Sequence, residues 1–231
     1  MKKTTFALFF GNRGFMPAEL IEGARADMIK AVTDAGFDYL IMDKDATRYG
    51  AVETREEGRI YHDWLESHRG EFDGVILCMP IFIDENGAVT ALQDAGVPIL
   101  MQAYPDEIGK MDFAHRRDAF CGKFSRVGHP VSEAFQENLK EFEAICRVVG
   151  GMKRFNIGAI GASTTAFKTV RYDEVTLQRY GINVESFDLS ELIFKVQKMA
   201  DDDPRVLAKA ERLRHYTNCS LVPNKAMATL S

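Results

Sequence analysis

The turn Gly11–Gly14, with the sequence GNRG, carries the residue types best suited to holding a small polar ligand. Its glycines allow the backbone to turn sharply, and the helix predicted to begin at Pro17 offers free amides at the positive end of its dipole. Arg13 adds a planar donor fork that fits a carboxylate or several hydroxyl groups. Two interpretations of Arg13 stay open, a contact with a polar ligand and an ion pair with an acid such as Asp43. The GxGxxG spacing of a dinucleotide site is absent.

Other groups with chemical potential are scattered along the chain. Asp43 and Asp45 are either metal ligands or solvated turn acids, and neither histidine nor glutamate stands at a fixed ligand spacing from them. Cys121, close to Lys123, is either a lysine-activated thiolate or an inert thiol. Gly158–Gly161 resembles the start of a phosphate loop but lacks its lysine and hydroxyl, which leaves tight strand-to-helix packing as the alternative. The five histidines form no HExxH motif.

Hydrophobic periodicity predicts the elements that position these groups. Four short runs rich in Ile, Leu, Val and Phe are typical of strands buried on both faces of a parallel sheet: Phe6–Phe10, Phe37–Met42, Gly74–Met79 and Val97–Gln102. Helical patterns separate them, from Pro17 to Gly36, from the capping box Thr54–Glu57, and between Asn86 and Ala95. This alternation predicts an α/β fold with a doubly wound parallel sheet, either flavodoxin-like or Rossmann-like.

The rest of the chain is expected to begin a second α/β domain. An irregular segment, 104–130, precedes a long amphipathic helix that is predicted to end at Gly150–Gly151. Strand and helix patterns then restart: strands Phe155–Ile160 and Asn183–Phe187, and helices from about Tyr172, from a second capping box Asp188–Glu191, and from Asp203–Pro204. We therefore predict an N-terminal α/β domain over 1–150, with the long loop 104–130, and a partial second α/β domain over 151–231.

The second domain has too few strands to be stable alone. Two strands do not make an independently stable sheet, because three or more, or substantial packing from outside, are normally needed. The rest of the second sheet is therefore expected either to be missing from this sequence or to be supplied by something else. The alternative is that both runs join the first sheet and the protein is complete.

Composition excludes several classes of partner. The net charge of −5 is spread over 231 residues without a basic run, so neither nucleic acid nor a membrane surface is an expected partner. The apolar run Val75–Ile83 is far shorter than the about 20 residues of a membrane-spanning helix. The opening MKKTTFALFF is better interpreted as a strand than as a signal peptide. The four scattered cysteines indicate reduced thiols and a cytoplasmic protein.

Several segments together carry a family resemblance. The ordered set GNRGFMP, GFDYLIMDKDATRYGAVETREEGRIYHDWL, FDGVILCMPIFIDENGAVTALQDAGVPILMQAYPDE and RRDAFCGKFS resembles the amino-terminal part of the L-fucose/L-arabinose isomerase superfamily, particularly its fucose isomerase-like bacterial members. The segments IGAIGASTTAFKTVRYDE and VESFDLSELI resemble the start of that family's second domain. The resemblance spans nearly all of the chain.

The resemblance implies a metal-dependent aldose–ketose isomerase, an intramolecular oxidoreductase that moves a proton through an enediol. The metal, usually Mn²⁺, is held in the family by two carboxylates and a histidine that belong to a portion beyond this sequence. No catalytic or metal-binding residue is therefore assigned here, and the isolated chain is expected to bind no metal and to be inactive. A homo-oligomer, either trimer or hexamer, is implied, in which the first domain leans over a neighbour's active site.

The resemblance also implies which residues contact the small-molecule sugar in trans. These are Arg13 and, as weaker candidates, Asn12, Lys123, Phe120, Cys121 and Gly122. Two departures from the family pattern, Arg126–Pro130 after FCGKFS and Ser163, put the substrate in doubt but not the fold. The functional alternatives are a non-catalytic sugar-binding or regulatory α/β module and a flavodoxin-like electron carrier.

Overall fold

A five-stranded parallel sheet, with strand order β2-β1-β3-β4-β5, forms the centre of the first unit of the chain, Met1–Met152. The strands are β1 Thr5–Phe10, β2 Asp38–Ile41, β3 Gly74–Met79, β4 Ile99–Ala103 and β5 Arg126–Val127. The structure is a computed structural model that describes residues 3–119, 121, 126–161, 166 and 168–231. All neighbouring strands in the sheet are parallel, which confirms the predicted α/β fold.

Helices cover both faces of this sheet: α1 Leu20–Asp34, α2 Arg55–Ser67, α3 Glu85–Leu92 and α4 Glu133–Met152. Phe6 of β1 stacks on Phe142 of α4 with ring centroids 5.3 Å apart. Phe9 meets Tyr61 of α2 at 5.0 Å. Residues three apart on a strand point to opposite faces, so α2 and α4 lie on opposite sides of the sheet. The predicted doubly wound arrangement is therefore present.

The helix ends show where local signals were sufficient and where they were not. The capping box at α2 is confirmed, because the side chains of Thr54 and Glu57 each accept a hydrogen bond from the other's backbone amide. The predicted start of α1 at Pro17 is wrong. The amide of Leu20 donates to the Pro17 carbonyl at 3.2 Å, which closes a separate turn before the helix begins at Leu20.

The predicted end of α4 is also wrong. The helix continues through Gly150–Gly151 to Met152, and neither glycine has a positive φ. Glycine weakens a helix interior but ends a helix only where it adopts the left-handed conformation, so the helix passes both positions.

The segment predicted to be irregular, 104–130, contains the short edge strand β5, which was not predicted. Its backbone pairs with β4 in the register Gln102↔Arg126. The buried side chain of Gln102 supports this edge, because its amide donates to the Gly128 carbonyl at 2.8 Å. An amide side chain on a neighbouring strand therefore supports an edge strand of only two residues.

The second unit, Lys153–Ser231, has a sheet of its own. Its strands, β6 Phe155–Ile160 and β7 Ile182–Phe187, pair in parallel with each other in a two-stranded sheet. Its helices are α5 Glu174–Arg179, α6 Leu189–Gln197, α7 Pro204–Tyr216 and α8 Asn224–Leu230, the last of which was not predicted. At α6, Asp188 accepts from the Ser190 amide, whereas Glu191 pairs with Lys195, so the predicted reciprocal capping box is absent.

Two further expectations from the sequence concern the state of the cysteines and the presence of membrane-spanning helices. Cys78, Cys121, Cys146 and Cys219 are all free thiols. Burial raises the pKa of the Cys146 thiol to about 12. Among the described residues, each helix is either too short or too polar to traverse a lipid bilayer.

Candidate functional site

The candidate site is the Gly11–Gly14 turn at the carboxyl end of the central strand β1. The amide of Gly11 donates to the Cys78 carbonyl of β3 at 3.1 Å. On the other side, the amide of Asn12 donates to the Val52 carbonyl at 2.8 Å, so β1 stays paired beyond its last residue. A Cβ on Gly11 would collide with the side chain of Ile83. Close approach of the two loops therefore requires glycine here.

Asn12 is buried and holds the turn together. Its side-chain oxygen accepts from the Arg13 amide at 2.8 Å, and its amide nitrogen donates to Glu53 Oε2 at 3.4 Å. Its backbone carbonyl accepts from the Asp84 amide at 2.9 Å. The geometry therefore gives Asn12 a positioning role, and its predicted contact with sugar stays a prediction.

Arg13 lies half-buried between two aromatic side chains. Its guanidinium carbon is 4.6 Å from the ring centroid of Phe82 and 5.1 Å from that of Phe15. Among the described residues, Arg13 makes no ion pair with Asp43, so that alternative is not realised. Ring faces attract the cation without occupying its N–H groups. The arrangement therefore leaves the donor fork able to bind oxygen atoms of a ligand.

Glu53 is a site residue that sequence reasoning missed. Its Oε1 lies 2.5 Å from the position that a Cβ on Gly14 would occupy, and its Oε2 accepts from Asn12. The carboxylate therefore borders the same turn as the Arg13 guanidinium. In the sequence, Glu53 is distinguished only as an acid immediately before the Thr54–Glu57 capping box. The pairing of Val52 with Gly11 brings Glu53 to the turn, and local sequence does not indicate that pairing.

A second group of polar side chains connects the segment after β4 to the carboxyl ends of the strands through hydrogen bonds and ring contacts. Arg117 donates to the Pro80 carbonyl at 2.8 Å, and its guanidinium carbon lies 4.7 Å from the ring centroid of Tyr104. The Tyr104 hydroxyl donates to Asp27 Oδ2 at 3.2 Å. Burial raises the pKa of Tyr104 above its ordinary value. The His129 Nε2 atom lies 3.5 Å from the same Asp27 oxygen.

Of the other predicted contact residues, the structure describes Cys121 alone. Phe120, Gly122 and Lys123 lie outside the described residues, as does Ser163. Cys121 is exposed, and its backbone amide donates to the Asp118 carbonyl at 3.1 Å. Activation of this thiol by Lys123 therefore stays a prediction.

The acids after β2 line a separate open depression of about 660 Å³, together with Arg25 and Tyr49. Arg25 donates to the carbonyls of Gly50 and Met42 at 2.8 and 2.7 Å, and burial lowers its pKa. The Asp43 carboxylate accepts from the Asp45 amide at 2.8 Å, which is the hydrogen bond of a turn acid. Within the described ranges, no three His, Cys, Asp or Glu side chains come close enough to hold a metal ion.

The first unit, with its parallel sheet and helices on both faces, belongs to the open α/β class of domains, and the Gly11–Gly14 turn lies at the carboxyl end of its central strand. Residues 7–153 match the N-terminal domain family of fucose/sulfoquinovose isomerases, and the chain belongs to this family. This confirms the predicted resemblance of the amino-terminal part, whereas the resemblance of the later segments to the family's second domain stays a prediction.

Other comparisons are less informative. The comparison with curated proteins found no match. One similar solved structure is the ligand-free, open form of a substrate-binding protein with adhesive properties from Clostridium difficile, at 14% identity and a TM-score of 0.26. The match covers 84% of this chain and 61% of that one, so this chain spans less than two thirds of that protein. A likeness this weak carries no functional argument.

Proposed function

We propose that this chain provides substrate-cleft cover and oligomer contacts in a metal-dependent aldose–ketose isomerase of the L-fucose/L-arabinose type. Its membership of the fucose/sulfoquinovose isomerase family supports the isomerase assignment. The reaction is an intramolecular oxidoreduction, in which a proton moves between adjacent sugar carbons through an enediol. The proposed setting is a cytoplasmic homo-oligomer, either trimer or hexamer.

The position of the Arg13 side chain is the observation that carries this proposal. Its guanidinium is held over the rings of Phe82 and Phe15 at the carboxyl end of β1, where open α/β sheets bind ligands. We assign to it the orientation of sugar hydroxyls at the active site of an adjacent subunit. Lys123 and the Phe120–Gly122 backbone are proposed for the same cleft.

The metal is assigned outside the described residues. A divalent metal such as Mn²⁺ would grip adjacent sugar oxygens and stabilise the charge that develops on them. The described residues do not fit such a metal, because they provide no cluster of three ligating side chains. We therefore assign to this chain binding and orientation of the sugar, and neither metal ligation nor proton transfer. The isolated chain is expected to be inactive.

The test is the kinetics of Arg13 variants in the native gene product, assayed with manganese and a panel of aldoses. Arg13→Ala should lower kcat/KM by about tenfold to a hundredfold, since a hydrogen bond from a charged group contributes about 1.5–3 kcal/mol. The kcat/KM of Arg13→Lys should lie between the values of the wild type and Arg13→Ala, because lysine keeps the charge and loses the planar fork. Arg147→Ala is the matched control, an exposed arginine of α4 that lies 3.7 Å from Glu143.

The outcomes separate the alternatives. Loss of folding or assembly in Arg13→Ala, without a kinetic defect in the assembled fraction, would assign the side chain to structure. Binding of sugars without turnover of any of them, in the presence of manganese, would instead support the non-catalytic sugar-binding module.

A further inference from the structure

The loop that follows β3, residues 80–84, lies against the turn that carries Arg13. The ring of Phe82 is one of the two faces that hold the Arg13 guanidinium, with 4.6 Å between the guanidinium carbon and the ring centroid. Two residues further on, the Asp84 amide donates to the Asn12 carbonyl at 2.9 Å and joins the loop to the turn. The position of this loop therefore sets the position of the ring on which Arg13 lies.

Arg117 binds the same loop at two points. Its side chain donates to the Pro80 carbonyl at 2.8 Å, and its backbone carbonyl accepts from the Phe82 amide at 2.7 Å. Between these two points the side chain of Ile81 is buried in the core. One arginine therefore fixes both ends of the short segment that carries the Phe82 ring.

Arg117 is itself held by the segment after β4. Its guanidinium carbon lies 4.7 Å from the ring centroid of Tyr104, whose hydroxyl donates to Asp27 of α1. The Oδ1 atom of Asp106 accepts from the backbone amides of Arg117 and Asp118 at 2.7 and 3.2 Å. These contacts fix both the backbone and the side chain of the arginine that binds the loop.

We infer that Arg117 is a positioning residue for Arg13 and acts on it through the Phe82 ring. The consequence for sugar turnover rests on the proposed function, whereas the placement of the Arg13 side chain rests on these contacts alone. A cation is attracted to an aromatic ring within about 6 Å of its centroid, so a displaced ring changes where the donor fork points. A misplacement of about 1 Å can lower a reaction rate by up to about a hundredfold.

The first test follows Arg13 in the native gene product without any ligand. It measures the rate at which phenylglyoxal modifies Arg13, by mass spectrometry of the peptide that contains this residue. Arg117→Ala should raise the rate about twofold to fivefold, the factor that corresponds to loss of a cation–π contact at a partly exposed site. Phe82→Leu, which removes the ring directly, should raise it by a similar factor.

Arg69→Ala is the matched control for this measurement. Arg69 also donates to loop carbonyls, those of Asp94 and Ala95 at 2.8 and 3.3 Å, but this loop follows α3. Its loss removes the same kind of contact and should leave the modification rate of Arg13 unchanged.

Two further variants keep the test informative if Arg117→Ala fails to fold. Arg117→Lys keeps the charge and a donor for the Pro80 carbonyl, and should keep the modification rate of Arg13 close to that of the wild type. Asp106→Ala removes the acceptor of the Arg117 amide and leaves the Arg117 side chain intact. It should raise the modification rate in the same direction as Arg117→Ala.

The second test is a double-mutant cycle on kcat/KM with L-fucose and added manganese. Arg117→Ala should lower kcat/KM about tenfold in the wild type, within the range that misplacement of an orienting group produces. In the Arg13→Ala background it should lower kcat/KM less than about twofold, because an effect that passes through Arg13 disappears with Arg13. A purely structural role of Arg117 would give the same factor in both backgrounds.

An unchanged modification rate of Arg13 in Arg117→Ala, an equal rise in Arg69→Ala, or additive effects of Arg13→Ala and Arg117→Ala on kcat/KM would overturn the inference. Additivity would show that Arg117 acts on the sugar or on stability independently of Arg13. A raised modification rate in Arg117→Ala, together with no turnover of any aldose by the wild type, would support the positioning role and contradict the proposed function alone.

Discussion

Two buried tyrosines of the first unit, Tyr61 and Tyr104, differ in whether the hydroxyl group has a hydrogen-bond partner. Tyr61 packs its ring against Phe9 and Trp64, and its hydroxyl is buried without a hydrogen-bond partner among the described residues. Tyr104 is equally buried but donates to Asp27. An unsatisfied buried polar group costs about 1–3 kcal/mol, whereas a satisfied one contributes about 1 kcal/mol. The two hydroxyls should therefore have opposite effects on stability.

We expect Tyr61→Phe to leave the free energy of unfolding unchanged or to raise it by about 1 kcal/mol, because it removes an unpaired group without a cavity. Tyr104→Phe should lower it by about 1 kcal/mol. Urea unfolding at neutral pH measures both. Marked destabilisation by Tyr61→Phe would indicate that the hydroxyl has a partner, such as a buried water molecule.

The same substitution should change the pH dependence of stability. Burial raises the pKa of Tyr61, and the nearby Arg25 opposes that rise only in part. The unfolded chain releases this proton above about pH 10 while the folded chain retains it, so stability falls as pH rises through this range. Tyr61→Phe should remove up to about 1.4 kcal/mol per pH unit of that fall. An unchanged slope between about pH 10 and 11 would contradict this.

The crossing of α2 and α3 depends on the absence of side chains. A Cβ on Gly58 of α2 would lie 2.6 Å from the Gly87 carbonyl of α3 and 3.0 Å from Thr90 Cβ. A Cβ on Gly87 would lie 2.8 Å from the Glu53 carbonyl. These contacts set how closely the two helices approach, and thereby where Glu53 stands beside the turn.

We predict that Gly58→Ala lowers the free energy of unfolding by about 1–3 kcal/mol, because the obstacle is backbone and cannot rotate away. Gly23→Ala is the matched control in α1, where a Cβ would meet no atom within 4 Å. Alanine there should raise stability by about 0.5–1 kcal/mol through helix propensity. Thermal melts compare the two, and equal shifts for both variants would show that the crossing tolerates a methyl group.

The two units of the chain differ in how well each buries its own apolar side chains. The first unit buries β1 and β3 almost completely. In the second, Phe155, Ile157 and Ile160 of β6 are exposed to between 37% and 61%, although parallel sheets normally have both faces covered. The physical requirement for further packing supports the proposal that this unit is the beginning of a larger α/β domain.

We expect a fragment of residues 1–152 to unfold cooperatively in urea, because it contains the main hydrophobic core. A fragment of residues 153–231 should bind a dye for exposed apolar surface and give poorly dispersed amide signals. Cooperative unfolding of the second fragment with well-dispersed signals would show that two strands and four helices suffice, and would remove the proposal of a larger domain.

Local patterns identified most of the secondary structure. Among the described residues, apolar runs and helix periodicity located every strand except β5 and every α-helix except α8, since burial of one face is encoded within a few residues. The capping box Thr54–Glu57 was predicted correctly for the same reason, because it too is encoded within a few residues. Failures at Pro17 and at Gly150–Gly151 occurred because a turn residue permits several backbone continuations and neighbouring contacts choose among them. Strand β5 was missed because only its pairing with β4 makes two residues a strand.

The order of strands and helices, and the position of Arg13 after β1, follow from the amino-acid pattern because both depend on local burial and chain connectivity. The partners of Arg13 do not follow from it. Phe82 comes from the loop after β3, and Glu53 reaches the turn only through the bridge between Gly11 and Val52. Residues about 40 to 70 positions apart are brought together by strand pairing, which no local pattern encodes, and that pairing set the charge around the site.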